Sequence, residues 1–206
     1  MKHLSLSLLL ISFLIIFSQC KKDEPTPPGP VKYNLVLIHS DSGNMLVWLY
    51  DQTPYHRDNF LQLTKDKFYD SLIFHHIVVN TVIEGGDSNG DGTGGKATPL
   101  APEFHDSITN IYGAVGSVMD NTPSKNTNGT QFYIVINKSG VHSRDKTYTV
   151  FGQVIDGMSA AVAIATVNRD GNDKPIENVY MTKVEVVQYT EEELKTLYKF
   201  KIPTFN

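Results

Sequence analysis

Apolar and polar positions alternate along many short runs of this chain, which predicts a protein built mainly of β-strands. The first two runs, YNLVLIHS (33–40) and GNMLVWLY (43–50), flank DSG, a turn sequence typical of a β-hairpin. Later runs of the same kind are LIFHHIVV, TVIEGGD, GAVGSVM, TQFYIVIN, YTVFGQVI and VYMTKVEVVQY. So many short strands favour a closed barrel, because closure removes exposed sheet edges.

Three segments have helical spacing instead. TPYHRDNFLQLTKDKF predicts a helix over about 55–66, with Thr53 as a candidate cap. An alanine-rich segment predicts a second helix that begins near Met158. Near the C-terminus, Thr190 is followed three residues later by Glu193, the spacing of a capping box, so a short helix is expected there.

The N-terminal part has a different composition. Residues 1–19 contain Lys2 and an apolar run from Leu4 to Phe17, which is the layout of a secretory signal peptide. The run is short for a membrane span, and an uncleaved membrane anchor is the alternative. Residues 20–32 include the proline-rich KKDEPTPPGP, which favours an extended tether.

Cys20 is the only cysteine and follows the apolar run directly. The stretch FSQC resembles the lipobox of bacterial lipoproteins, although Phe17 and Gln19 depart from the commoner residues of that motif. The resemblance implies that Cys20 becomes the lipidated first residue of the mature chain. We therefore expect a lipid-anchored protein of the cell envelope, facing the periplasm or the exterior.

The length and net charge of the chain limit its domain organisation and its expected partners. The 206 residues are 40% hydrophobic, which suits one globular domain, expected over 33–189, with a C-terminal helical extension over 190–206. Eighteen basic residues against 22 acidic ones give a net charge of -4, with no basic cluster, so nucleic acid is not an expected partner. A monomer is expected.

The order of the motifs resembles the cyclophilins, which are peptidyl-prolyl cis-trans isomerases (rotamases). The resemblance covers about 33–188, and its motifs are NFLQL, FYDSLIFHHIV, IEGGDSNGDGTGG, PEFHD, NTNGTQFYI and YTVFGQVIDGM. It implies a mainly β fold, a closed eight-stranded antiparallel barrel capped by two α-helices. It also implies proline-containing polypeptides as substrates and a reaction without cofactor or metal.

The resemblance also implies the site residues. His76 stands where the family has its catalytic arginine, and Gln131 matches the glutamine that holds the substrate backbone, so these two are the predicted catalytic residues. The predicted substrate-binding residues are Phe74, Val82, Glu84, Asn128, Tyr133 and Tyr148.

Several of these positions depart from the family pattern. Thr81 and Val82 replace larger pocket residues and make the proline pocket shallower, Tyr148 replaces a histidine, and the usual groove tryptophan has no counterpart. Near neutral pH, histidine is mostly neutral, whereas arginine is always charged. If Glu84 approaches His76, it should raise the pKa of His76 and restore part of that charge.

Two groups of possible metal ligands have simpler interpretations. Asp87, Asn89 and Asp91 fit the start of a calcium loop, but Thr98 stands where a bidentate glutamate is required, so an ordinary glycine-rich turn is favoured. His75 neighbours His76 on a strand, and such neighbours face opposite sides. A zinc site would need further ligands, of which the candidates are Glu103 and His105.

Three functions remain open from the sequence. The first is an exported isomerase acting on X–Pro bonds of envelope proteins, with reduced activity because of His76. The second is a module that binds proline-containing segments with little or no turnover. The third is a structural envelope lipoprotein whose groove has lost its function.

Overall fold

The computed structural model describes residues 29–95, 98–120 and 124–205. The predicted signal peptide and the predicted lipidation site lie outside the described residues. The chain divides into two units, 1–30 and 31–206, and nearly all described residues belong to the second.

The described residues form eight strands and three α-helices. The strands are β1 (Lys32–Ser40), β2 (Gly43–Leu49), β3 (Phe74–Val78), β4 (Val82–Gly85), β5 (Ala114–Met119), β6 (Thr127–Val135), β7 (Val150–Asp156) and β8 (Met181–Thr190). The helices are α1 (Pro54–Lys65), α2 (Met158–Ala165) and α3 (Glu191–Tyr198). A 3-10 turn, His142–Arg144, lies between β6 and β7.

The strands form one antiparallel sheet in the order β3-β4-β6-β5-β7-β2-β1-β8. The predicted closure of the barrel is not supported, because the sheet is open and curled. In the described part of the chain, the edge strands approach each other through an isolated bridge between Ile73 and Tyr180. Farther along β3, Ile77 N–H donates instead to Asp173 O at 2.9 Å, so a loop covers that edge.

The two predicted helices that flank the sheet are present. Helix α1 begins one residue earlier than predicted and buries Phe60 and Leu61 against the core. The prediction that Thr53 caps this helix is wrong, because its buried side chain makes no capping hydrogen bond. Helix α2 packs Ala161 and Ile164 on the same core.

The C-terminal extension forms helix α3 and then packs back on the sheet. The predicted capping box is confirmed: Glu193 N–H donates to Thr190 Oγ1 at 3.2 Å, and Thr190 N–H donates to Glu193 Oε2 at 2.7 Å. Leu194 is fully buried, and the ring of Phe200 lies 5.2 Å from that of Trp48. The extension therefore completes a second apolar core on the face of β1 and β2.

Candidate active site

A cleft of about 480 Å³ opens between β3, β4, the glycine-rich loop after β4 and the loop before β8. Its lining includes His75, His76, Glu84, Val118 and Gln131. The structure thus brings together both predicted catalytic residues and one predicted substrate-binding residue. Most of the lining residues are polar, among them Asp91, Asp170 and Lys174.

His76 and Glu84 are cross-strand partners in the β3–β4 pair. His76 Nδ1 lies 3.0 Å from Glu84 Oε2, which confirms the expected approach of the two side chains. The hydrogen bond to Glu84 raises the pKa of His76, and partial burial opposes this rise. The pair is therefore an imidazolium–carboxylate contact up to a higher pH than an isolated histidine would allow.

Gln131 is buried at the cleft and bound to the glycine-rich loop. Its Nε2 donates to the carbonyl oxygens of Gly94 at 3.0 Å and Gly92 at 3.2 Å, and to Asp87 Oδ1 at 3.3 Å. These contacts hold the side-chain amide in one orientation. A fixed amide can hydrogen-bond a peptide backbone without losing much conformational entropy.

Asn128 shapes the turn that leads into Gln131. Its Oδ1 accepts hydrogen bonds from the backbone N–H of Thr130 at 3.1 Å and of Gln131 at 2.8 Å. The structure therefore gives Asn128 a positioning contact with Gln131 rather than a place in the lining of the cleft.

Asp87 organises the glycine-rich loop. Its buried Oδ2 accepts hydrogen bonds from the backbone N–H groups of Asp91 and Gly92, both at 2.8 Å. With Oδ1 bound to Gln131, both oxygens have protein partners, as in an ordinary turn stabilised by aspartate. Within the described ranges, no three His, Cys, Asp or Glu side chains come together as a metal site.

Phe74 and Val82 do not reach the cleft. Both are fully buried, Phe74 in the core beside Phe132 and Val82 in the second core. The register of the β3–β4 pair shifts between Phe74 and His76, so Phe74 does not share the face of His76 as regular alternation would require. The substrate contacts predicted for these two residues thus have no support from their positions.

Tyr133 is also fully buried, and its O–H donates to Asn110 Oδ1 at 2.6 Å. Gly116 makes room for it, since a Cβ at that position would collide with the tyrosine ring. Tyr148 is half-buried and packs edge-to-face on Tyr133, with 5.9 Å between ring centroids. The two predicted pocket residues therefore contact each other, and Tyr133 is shielded from solvent.

Arg144, which the sequence reasoning missed, covers these rings. Its Cζ lies 4.8 Å from the ring centroids of both Tyr133 and Tyr148. Its Nη1 lies 3.8 Å from Glu84 Oε1. A sequence signal existed, because Arg144 is one of only three arginines in the chain.

The remaining histidines near the site, His56 and His75, are both buried. His75 is buried, and burial lowers its pKa. It lines the cleft with His76, and the β3–β4 register shifts between Phe74 and His76. Glu103, once considered as a zinc ligand, instead contacts Nδ1 of buried His56 at 2.6 Å.

The sequence belongs to the family described as cyclophilin type peptidyl-prolyl cis-trans isomerase, whose sequence profile matches residues 35–186. The chain is therefore a member of an enzyme family that isomerises X–Pro peptide bonds. In the described ranges, no helix is both long enough and apolar enough to cross a membrane.

Curated relatives support this assignment. The chain is 32% identical over 169 residues to peptidyl-prolyl cis-trans isomerase CYP18-2 of Arabidopsis thaliana, covering 81% of this chain and 98% of the relative. It is 30% identical over 181 residues to a putative peptidyl-prolyl cis-trans isomerase of Staphylococcus aureus, covering 73% and 90%. A putative bifunctional phosphatase/isomerase of Streptococcus pyogenes is 35% identical over 182 residues, but the match spans only 38% of that longer protein.

A solved structure agrees with the fold. The cyclophilin type isomerase of Cryptosporidium parvum, crystallised in the presence of the dipeptide Ala-Pro, has a TM-score of 0.69 and 27% sequence identity. The similarity covers 74% of this chain and 98% of that chain.

Proposed function

We propose that this chain is an exported, lipid-anchored cyclophilin that isomerises X–Pro bonds of envelope proteins, at a rate limited by its unusual site. The single observation that carries the proposal is the cleft in which His76, Glu84 and Gln131 meet. The anchor is Cys20, after removal of residues 1–19, and the domain acts as a monomer that reaches its substrates from a proline-rich tether.

Isomerisation needs no bond making or breaking outside the rotating amide. Its barrier comes from amide resonance, so the site has to favour the twisted amide over the planar one. Gln131 supports this role because the glycine-rich loop fixes its amide, which is then in place to hydrogen-bond the substrate backbone. His76 supplies positive charge when protonated, and Glu84 keeps it protonated to higher pH.

The reduced rate follows from the same residues. Imidazole has fewer donors than guanidinium and loses its charge as pH rises. A charge-assisted hydrogen bond contributes about 1.5–3 kcal/mol, which corresponds to about 10- to 150-fold in rate. The covered Tyr133 also leaves less apolar surface for a proline ring.

The alternative is a module that binds proline-containing segments with negligible turnover. The histidine at position 76 favours this alternative, because a neutral imidazole stabilises the twisted amide less than a guanidinium does. The burial of Phe74, Val82 and Tyr133 removes an apolar floor from the cleft surface and weakens both functions. Both functions would use the same cleft, so a binding measurement alone does not separate them.

NMR exchange spectroscopy on a proline tetrapeptide separates the two functions. An isomerase adds cis–trans exchange cross-peaks at catalytic protein concentration, whereas a binder shifts the peptide signals without adding exchange. Gln131→Ala is the site control and should abolish the exchange. Exchange that is unchanged in Gln131→Ala would place the reaction at another surface and reject this site.

The anchor is tested separately by feeding cells labelled palmitate. The wild-type chain should incorporate label and sediment with membranes, and Cys20→Ser should do neither. Label retained in Cys20→Ser would reject Cys20 as the modified residue, and a soluble, unlabelled wild-type chain would reject the lipoprotein form.

A further inference from the structure

Arg144 occupies an unusual place beside the cleft. Its guanidinium carbon lies 4.8 Å from the centroids of both Tyr133 and Tyr148, whose rings stand at 84° to each other. Two aromatic contacts favour a cation and restrict its motion. The side chain is only 18% exposed, so this permanent charge is held against the protein rather than in bulk solvent.

Glu84 connects this arginine with His76. One carboxylate oxygen lies 3.0 Å from His76 Nδ1 and the other lies 3.8 Å from Arg144 Nη1. A protonated His76 and an ionised Glu84 cancel each other, so the pair by itself adds no net charge. Arg144 brings the cluster to a net charge of +1, and Asp173 is a further acidic group whose field reaches His76.

The same guanidinium has an unused donor. Arg144 Nη1 is buried and has no hydrogen-bond partner among the described residues. Buried donors are normally paired, and an exception calls for an explanation such as a ligand. A peptide carbonyl oxygen that enters beside Glu84 would satisfy this donor.

The turn that carries Arg144 is fixed by a partly buried network of hydrogen bonds. Asp145 Oδ1 accepts hydrogen bonds from Asn110 N–H at 2.7 Å and from Asn110 Nδ2 at 3.0 Å. Asn110 in turn accepts the Tyr133 O–H at 2.6 Å. One set of bonds therefore positions both the arginine and the ring beneath it, which is the preorganisation that electrostatic catalysis requires.

We propose that Arg144 is a catalytic residue of this isomerase, donating from Nη1 to a substrate backbone carbonyl at the X–Pro bond and supplying the permanent positive charge that His76 lacks. The charge comes from the turn before β7, a different element from the strand that carries His76. This inference rests on the isomerase function of the cleft.

The decisive experiment is a double-mutant cycle in the full-length chain. Exchange rates are measured for wild type, Arg144→Leu, His76→Arg and the double variant at a pH above the raised pKa of His76, where an NMR titration shows its imidazole to be neutral. Arg144→Leu should lower kcat/KM by about tenfold or more. His76→Arg should raise the rate in both backgrounds, by a larger factor in the Arg144→Leu background than in the wild type.

Two further variants serve as controls for a folding defect. Arg144→Lys keeps the charge and should retain more activity than Arg144→Leu, while Arg57→Leu removes an arginine that contacts Asp51 and Asp58 away from the cleft and should leave the rate unchanged. The proposal is overturned if Arg144→Leu matches wild type, or if His76→Arg has the same effect in both backgrounds.

Peptide binding provides a readout that does not depend on turnover. The ¹⁵N guanidinium signals of Arg144 should shift when the proline peptide is added, and the Arg57 signals should not. If the wild type shows no exchange, the isomerase function fails, and the guanidinium signals still decide the contact. Arg144 signals that stay unchanged while other cleft signals shift would overturn the contact itself.

Discussion

His76 Nδ1 lies 3.0 Å from Glu84 Oε2, across the β3–β4 pair and at the wall of the cleft. This contact pairs the carboxylate of Glu84 with a histidine that titrates. The family resemblance implies an arginine, which is always charged, at the position of His76. Because the contact raises the pKa of His76, the charge of the site depends on pH within the neutral range.

The first prediction concerns pH. His76 is charged below its raised pKa, so kcat/KM should fall as pH rises from about 5.5 to about 8. His76→Ala should remove this pH dependence and lower the acid-side rate by about 10- to 150-fold. Exchange spectroscopy across that range is the measurement. A His76→Ala profile that still falls like that of wild type would reject His76 as the titrating group.

A second prediction concerns the same pair from the carboxylate side. Glu84→Gln removes the group that raises the pKa of His76, so the midpoint of the pH profile should move to lower pH. The His76 ring signals in an NMR titration provide the direct measurement. An unchanged midpoint would mean that Glu84 does not control this charge in solution.

The third prediction concerns Asp87. Asp87→Asn keeps the shape but turns one side-chain oxygen into a donor, which then faces either the backbone N–H groups of Asp91 and Gly92 or the amide of Gln131. An unpaired buried donor costs about 1–3 kcal/mol, so the free energy of unfolding in urea should fall by about that amount. Asp91 is exposed, so Asp91→Asn is the matched control, and its free energy of unfolding should fall by less. Equal losses of unfolding free energy in the two variants would contradict the role of Asp87 in stabilising the loop.

The fourth prediction compares two glycines with positive φ. Gly86 has φ +83°, and an added Cβ would collide with the carbonyl oxygen of Thr130, whereas Gly92 has φ +85° and open space around it. Gly86→Ala should therefore suffer both strain and a clash with backbone, and Gly92→Ala only strain of about 1 kcal/mol. Thermal unfolding measures both. If the two variants unfold at the same temperature, the added Cβ at Gly86 does not clash with Thr130.

The fifth prediction concerns the C-terminal extension. Leu194 is fully buried while Leu197, one turn later on helix α3, is 61% exposed. Leu194→Ala should cost about 2–5 kcal/mol of unfolding free energy because it leaves a cavity. Leu197→Ala should stay within about 0.5 kcal/mol of wild type. A small effect at Leu194 would show that the extension is not part of the folding unit.

Much of the fold could be predicted because its signals are local. Alternating strand residues and the Thr190–Glu193 capping box are set by periodicity and by hydrogen bonds within a few residues. The contact of His76 with Glu84 was also accessible, because two strands joined by a short turn bring such residues opposite each other.

The remaining features depend on residues far apart in the chain. Thr53 has the right chemistry for a cap, but its burial and the path of the chain leave its hydroxyl without that bond. The open sheet could not be foreseen either, because the cover of β3 comes from Asp173, almost a hundred residues later. Arg144 reaches Glu84 only because Tyr133 and Asn110 hold its turn in place.

The sequence by itself determined the strands, the helices, the family and the pairing of His76 with Glu84, since these follow from local spacing and from motifs in order. Only the tertiary structure decided that Phe74, Val82 and Tyr133 are buried, and that Arg144 lies beside Glu84 of the cleft. The physical reason is that burial and charge at a site depend on which distant segments pack there, and packing between distant segments leaves no periodic signal in the chain.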